Sequence, residues 1–105
     1  MTQIAQFARF AAKPGQGDKV FAALADASAA AAQEDGTLVY AIHVAPDDHD
    51  TVWMYELYTS PEAQAAHSGS EATARLRAAV ADLLAEPLTV SRGVPTKAFG
   101  LPTAR

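Results

Sequence analysis

The chain has 105 residues, a net charge of −4 and no cysteine. That length suits one domain with one core. The scattered Lys and Arg argue against a nucleic-acid or anionic-membrane partner, and the missing thiols exclude disulfides, thiolate metal sites and a Cys nucleophile.

Half of the residues are hydrophobic, but 25 of them are Ala. Ala favours helix and fills little volume, so the larger apolar side chains carry the information about the core. The first ten residues lack the charged and apolar regions of a signal peptide, and no run approaches the ~18 apolar residues of a membrane span. A cytoplasmic protein is the expectation.

Ile4 to Ala11 alternates weakly and reads as a first strand. Pro14 and Gly15 close it, and Asp18 suits a helix N-terminus. Val20, Phe21, Leu24, Ala27 and Ala31 recur at helical spacing. Glu34-Asp35-Gly36 ends this helix, with Gly36 suited to a left-handed exit. Thr37 to Ala45 reads as a second strand, residues 46–50 as a polar turn, and Thr51 to Tyr58 as a third strand, together a hairpin. The acidic turn, with Asp47, Asp48, His49 and Asp50, is too short to wrap a metal ion, and no metal site is expected.

Ser60 is a helix cap with Pro61 at the first helical position. The short helix that follows ends near His67. Ser68 with Glu71 fits a capping box for a longer helix, whose stripe is Leu76, Ala79, Val80, Leu83 and Leu84. Pro87 stops it. Leu88 to Thr96 reads as a fourth strand, and the tail from Gly100 as loose. The order β-α-β-β-α-β is the ferredoxin-like α+β pattern with an antiparallel sheet. The whole chain reads as a single domain with its core over about residues 2–97. Such a sheet carries helices on one face only and leaves the other bare.

Strand periodicity sorts the third strand into two faces. Val52, Met54, Glu56 and Tyr58 share one; Trp53, Tyr55 and Leu57 share the other. If the first face is the one turned to the helices, a candidate pocket lies between them. His67 is a candidate base, because imidazole titrates near neutral pH, and Glu56 a second acid or base. Tyr58 could hydrogen-bond a substrate oxygen, Met54 supply a wall and Arg75 hold an anion if it faces inward. Trp53 and Tyr55 would line a dimer interface, where aromatic residues are favoured. Each has a plainer reading: His67 as a hydrogen-bonder at a helix end, Glu56 as a structural acid, Tyr58 as core, Arg75 as a solvated helix residue, His43 as interface or surface.

Lys13-Pro14-Gly15, Asp35-Gly36 with Tyr40 shortly after, the run Tyr55-Glu56-Leu57-Tyr58 with Ser60, Ala63 and His67, and the exit Leu83 to Pro87 resemble the antibiotic-biosynthesis monooxygenase superfamily over about residues 4–90. The resemblance implies a dimeric α/β barrel in which two sheets pack face to face and cover the bare faces. It implies a cofactor-independent monooxygenase acting with O2 on a small aromatic substrate, quinol- or anthrone-like, and adds Tyr40 to the substrate-binding candidates. Two features depart from it. Ala72 stands where a second His often lies, and the chain has no Asn, which disfavours the haem-degrading branch. Two alternatives share the same residues: an isomerase or other proton-transfer enzyme on a small carbonyl compound, and a non-catalytic dimer that binds a small ligand.

Overall fold

The computed structural model describes residues 2–104. Its elements run β1 (Ile4–Ala11), α1 (Gly17–Ala31), β2 (Thr37–Ala45), β3 (Asp48–Tyr58), α2 (Pro61–Ser68), α3 (Glu71–Val80) and β4 (Thr89–Gly93). The four strands form one antiparallel sheet in the order β2-β3-β1-β4. This is the expected ferredoxin-like α+β architecture, with the second helical region split into two helices.

The pleat explains how so few large side chains make a core. On β1, Ala8 and Phe10 point to the helical side; on β3, Val52 and Met54 do the same. They meet Val20 and Leu24 of α1 and Val80 of α3 in one buried cluster. Phe21 does not join it, because it projects from the solvent side of α1 and stays exposed.

On the opposite face the aromatics are bare. Phe7 is 48% exposed and Trp53 45%. The Phe7 and Tyr55 rings lie 5.5 Å apart, and the Arg9 guanidinium sits 5.8 Å above Trp53. Ala5 and Leu57 on that face are buried. Nearby, Gln3 Nε2 donates to the Pro102 carbonyl (2.8 Å), which ties the tail to the start of β1.

Several boundaries differ from those the sequence suggests, each for a local reason. α1 stops at Ala31, and Gly36 has no positive φ. Gly36 is needed for space, since a Cβ there would stand 2.5 Å from the Ala63 Cβ of α2. β3 starts at Asp48, so the hairpin turn shrinks to Pro46 and Asp47. The acidic residues behind it hold backbone. Asp50 accepts from the Gly17 amide (2.9 Å) and the Gly15 amide (3.1 Å), which caps the start of α1 from the hairpin. Asp48 accepts from the Asp50 amide and the Thr51 hydroxyl.

Ser60 caps α2 as expected, its Oγ accepting from the Ala63 amide. Ser68 does not cap α3, because it still belongs to α2. Ser70 does, in an extended conformation, with Oγ accepting from the Thr73 amide (3.2 Å). β4 is shorter than residues 88–96 and ends at Gly93.

Candidate functional site

Between the helical side of the sheet and α3 lies a cavity of about 70 Å³. Its apolar walls include Phe10, Leu24, Leu76 and Val90; its polar groups include Gln6, Tyr40, Glu56, His67, Arg77 and Arg92. Each arrives by a simple positional rule. Gln6 and Glu56 are direct partners across β1 and β3, and Tyr40 is the β2 partner of Glu56. Residues at such pairs share a face. Arg92 is the β4 partner of Gln6. His67 comes from the last turn of α2.

Glu56 is the centre of this arrangement. Its Oε1 accepts from the Tyr58 hydroxyl and from Gln6 Nε2, the latter at 3.2 Å. His67 Nε2 lies 3.5 Å from the same oxygen. All these contacts fall on one oxygen, and among the described residues no fully buried side-chain N or O lacks a partner. Oε2 makes none of these contacts and is not sealed off, and Glu56 is part of the cavity wall.

The far nitrogen of His67 completes a line. Nδ1 is 2.8 Å from Glu34 Oε1, which also accepts from the Thr37 hydroxyl (2.7 Å). Side-chain exposure rises along this line, from 6% at Glu56 to 10% at His67 and 28% at Glu34. An imidazole with a carboxylate at each nitrogen can accept a proton at one and release one at the other. The line thus runs from the cavity towards solvent.

Two phenols flank the imidazole, Tyr40 at 5.6 Å and Tyr58 at 5.3 Å between ring centroids. Burial pushes the Tyr58 phenol well above its ordinary range, and the charge of Glu56 and the hydrogen bond to it push further. Burial also raises Tyr40, with Glu56 and Glu34 adding to the effect. Both phenols are donors rather than bases near neutral pH.

Of the residues singled out from the sequence, Glu56, His67 and Tyr40 line the cavity together. Tyr58 and Met54 share their face of β3 but stand outside the lining. Tyr58 is fully buried behind Glu56, and Met54 belongs to the apolar core. Arg75 stands apart from the cavity. It is 71% exposed, pairs with Glu71 one turn earlier and borders the groove between α1 and α3. Trp53 and Tyr55 lie on the bare face of the sheet. Sequence reasoning missed Glu34, Gln6, Arg77 and Arg92. Gln6 and Arg92 left a trace, as polar residues at inward positions of alternating strands; Glu34 left none.

The antibiotic biosynthesis monooxygenase family profile matches residues 3–82. The chain belongs to that family. Its fold is similar to the structure of Rv0793 from Mycobacterium tuberculosis, at 28% identity and a TM-score of 0.85, covering 91% of this chain and 97% of that one. It is similar to NE2512 of Nitrosomonas europaea, described as a protein of unknown function, at 28% identity and a TM-score of 0.81, with 94% of each chain covered. It is also similar to a Chloroflexus aurantiacus protein provisionally designated an antibiotic biosynthesis monooxygenase, at 26% identity and a TM-score of 0.79, covering 95% and 99%. A comparison with curated proteins returns no match.

Proposed function

We propose that this family member is a cofactor-independent monooxygenase that deprotonates a small, electron-rich aromatic substrate and lets the anion react with O2. The observation that carries this reading is the Glu56–His67–Glu34 line. It offers a proton acceptor at the cavity wall and an exit for the proton. Ground-state O2 is a triplet and reacts slowly with closed-shell molecules, whereas a phenolate can hand it an electron. A protein serving that reaction must remove the proton, hold the anion and keep water out.

Glu56 Oε2, backed by His67, takes the proton of a substrate hydroxyl. Tyr58 and Gln6 hold Glu56 in place, and Tyr40 lines the same space as a donor. The proton passes through the imidazole to Glu34. The anion gives its electrons to O2, one oxygen atom enters the ring, and the other leaves as water carrying two hydrogens from the substrate. The space favours a one-ring substrate. It holds about 70 Å³, less than the ~150 Å³ of a cavity known to take benzene, so a ligand must extend through the opening and a three-ring anthrone fits poorly.

The protein works as a cytoplasmic homodimer in this reading. The exposed Phe7 and Trp53, with the half-buried Tyr55 beside them, supply the aromatic, sheet-to-sheet interface. Among the described residues no helix is long and apolar enough to cross a membrane.

The test is O2 consumption with a panel of one-ring hydroquinones and phenols, beside Glu56→Gln and His67→Ala. Uptake that drops at least tenfold in both variants supports the reading. Uptake unchanged in both removes these residues from the chemistry. Turnover under argon on a carbonyl substrate would move the site to an isomerase, and ligand binding without turnover to a binding dimer.

A further inference from the structure

Two arginines line the cavity, and among the described residues neither is held in an ion pair. Arg77 comes from α3 and Arg92 from β4, and both line it beside Gln6, Glu56 and His67. The ion pairs among the described residues engage Arg9, Arg75 and His67, and neither of these two. The chain is acidic and has only eight Lys and Arg in all. Two exposed cations without an ion-pair partner, set against the single carboxylate of Glu56, line one small cavity, and they make a local anion-attracting field at its rim.

Arg92 is also held in position. Its Nε donates to Gln6 Oε1 at 2.8 Å. With the Gln64 amide turned so that its oxygen meets the guanidinium, Gln64 accepts from Nε at 3.2 Å and from Nη2 at 3.3 Å. A guanidinium has five N–H donors, so these amides occupy one edge and leave the rest. Neutral amides orient the cation without discharging it.

Gln6 sets the spacing between the two ends. Its oxygen meets Arg92, and its nitrogen meets Glu56 Oε1 at 3.2 Å. The Arg92 Nε and the Glu56 carboxylate are therefore at most about 8 Å apart, the reach of two hydrogen bonds and one amide. A single aromatic ring with a hydroxyl at one end and a carboxylate at the other spans that distance.

The geometry points to an anion-recognition end formed by Arg77 and Arg92, which selects one-ring hydroxylated aromatic carboxylates over their neutral counterparts. Its reacting end rests on the function proposed above; its anion-binding end does not. The hydroxyl sits at Glu56 and the carboxylate at the two guanidiniums near the opening. Charge-assisted, two-pronged contacts of this kind are the stronger ones available to a carboxylate.

The experiment is calorimetric titration under argon with 2,5-dihydroxybenzoate and with hydroquinone, on the full chain. The wild type is expected to bind the carboxylate at least tenfold tighter than the neutral compound. In Arg77→Gln/Arg92→Gln that preference falls below twofold, with an unchanged circular dichroism spectrum. Arg92→Lys keeps the charge but loses the fork and restores only part of it. Should the double variant fold poorly, Arg77→Gln alone, on an exposed helix position, still lowers the preference at least threefold. Equal affinities in the wild type, a preference that survives both substitutions, or no binding of either compound at millimolar concentration overturns the inference. O2 uptake in the same samples separates the two readings. Selective binding without uptake keeps the anion site and removes the oxygenase; uptake without selectivity does the reverse.

Discussion

Replacing Tyr58 by Phe removes a single oxygen from a side chain with no exposed surface. The ring volume stays, so no cavity opens. What is lost is the hydroxyl that donates to Glu56 Oε1. Hydrogen bonds to a charged acceptor contribute about 1.5–3 kcal/mol when buried. Gln6 and His67 remain as partners, which places the expected loss near the middle, about 2 kcal/mol. The unfolding entropy of ~2.1 cal/mol/K per residue, over 105 residues, makes each kcal/mol worth about 4–5 °C. Tyr58→Phe should therefore lower Tm by about 9 °C at fixed protein concentration. Tyr55→Phe, on the bare sheet face, should change stability by less than about 0.5 kcal/mol. A double-mutant cycle with Glu56→Gln, followed by urea unfolding and circular dichroism, isolates the pair. A coupling of about 1 kcal/mol or more is expected. A Tyr58→Phe variant within 0.5 kcal/mol of wild type, or a coupling near zero, would refute the view that this phenol holds Glu56.

Alkaline pH should weaken the fold. Burial raises both Tyr58 and Tyr40 in the folded state, while in the unfolded chain phenols ionise near about 10. Above that pH the unfolded state sheds protons that the folded state keeps, so stability present below pH ~10 falls as pH rises. Urea midpoints at pH 9 and 11 check this, and an equal midpoint at both would contradict it. Gly36→Ala drives a Cβ against Ala63 and should cost about 1–3 kcal/mol, less in an Ala63→Gly background. Glu34→Gln should reduce kcat severalfold with little change in KM, since Glu34 is not part of the cavity wall; an unchanged kcat would remove it from the proton path. Trp53→Glu should convert a dimer to a monomer in sedimentation at micromolar concentration, and a persisting dimer would place the interface elsewhere.

The fold was legible because its strands obey a period of two and its helices carry punctuation that is hard to misread, such as Ser60-Pro61. The same alternation groups Glu56 with Val52, Met54 and Tyr58 on one face of β3; the family resemblance turns that face to the helices, and the contact of His67 with Glu56 is visible only in the fold. Tyr58 was correctly sided, but alternation gives direction and not depth, so it could not show that Glu56 stands between Tyr58 and the cavity. Arg75 is the anion holder that the sequence suggests and Arg77 goes unnoticed, although Thr73, Leu76, Arg77 and Val80 fall at i, i+3, i+4 and i+7 of one helix face. A charged residue in such a stripe is easily read as solvated. Glu34 lay beyond any local pattern. It reaches His67 only because the turn after α1 folds back over α2, a contact 33 residues away in sequence.

The break between α2 and α3 has a consequence for how this family member can vary. Ser70 Oγ and Thr73 Oγ1 both donate to the main-chain carbonyl of His67, at 2.8 and 2.7 Å. The start of one helix is thereby fastened to the backbone of the last turn of the other. Substitutions at residues 70 and 73 would re-aim the imidazole by shifting its backbone, so natural or selected variants with altered acid–base behaviour should accumulate changes at this junction while Glu34, Glu56 and His67 themselves stay the same.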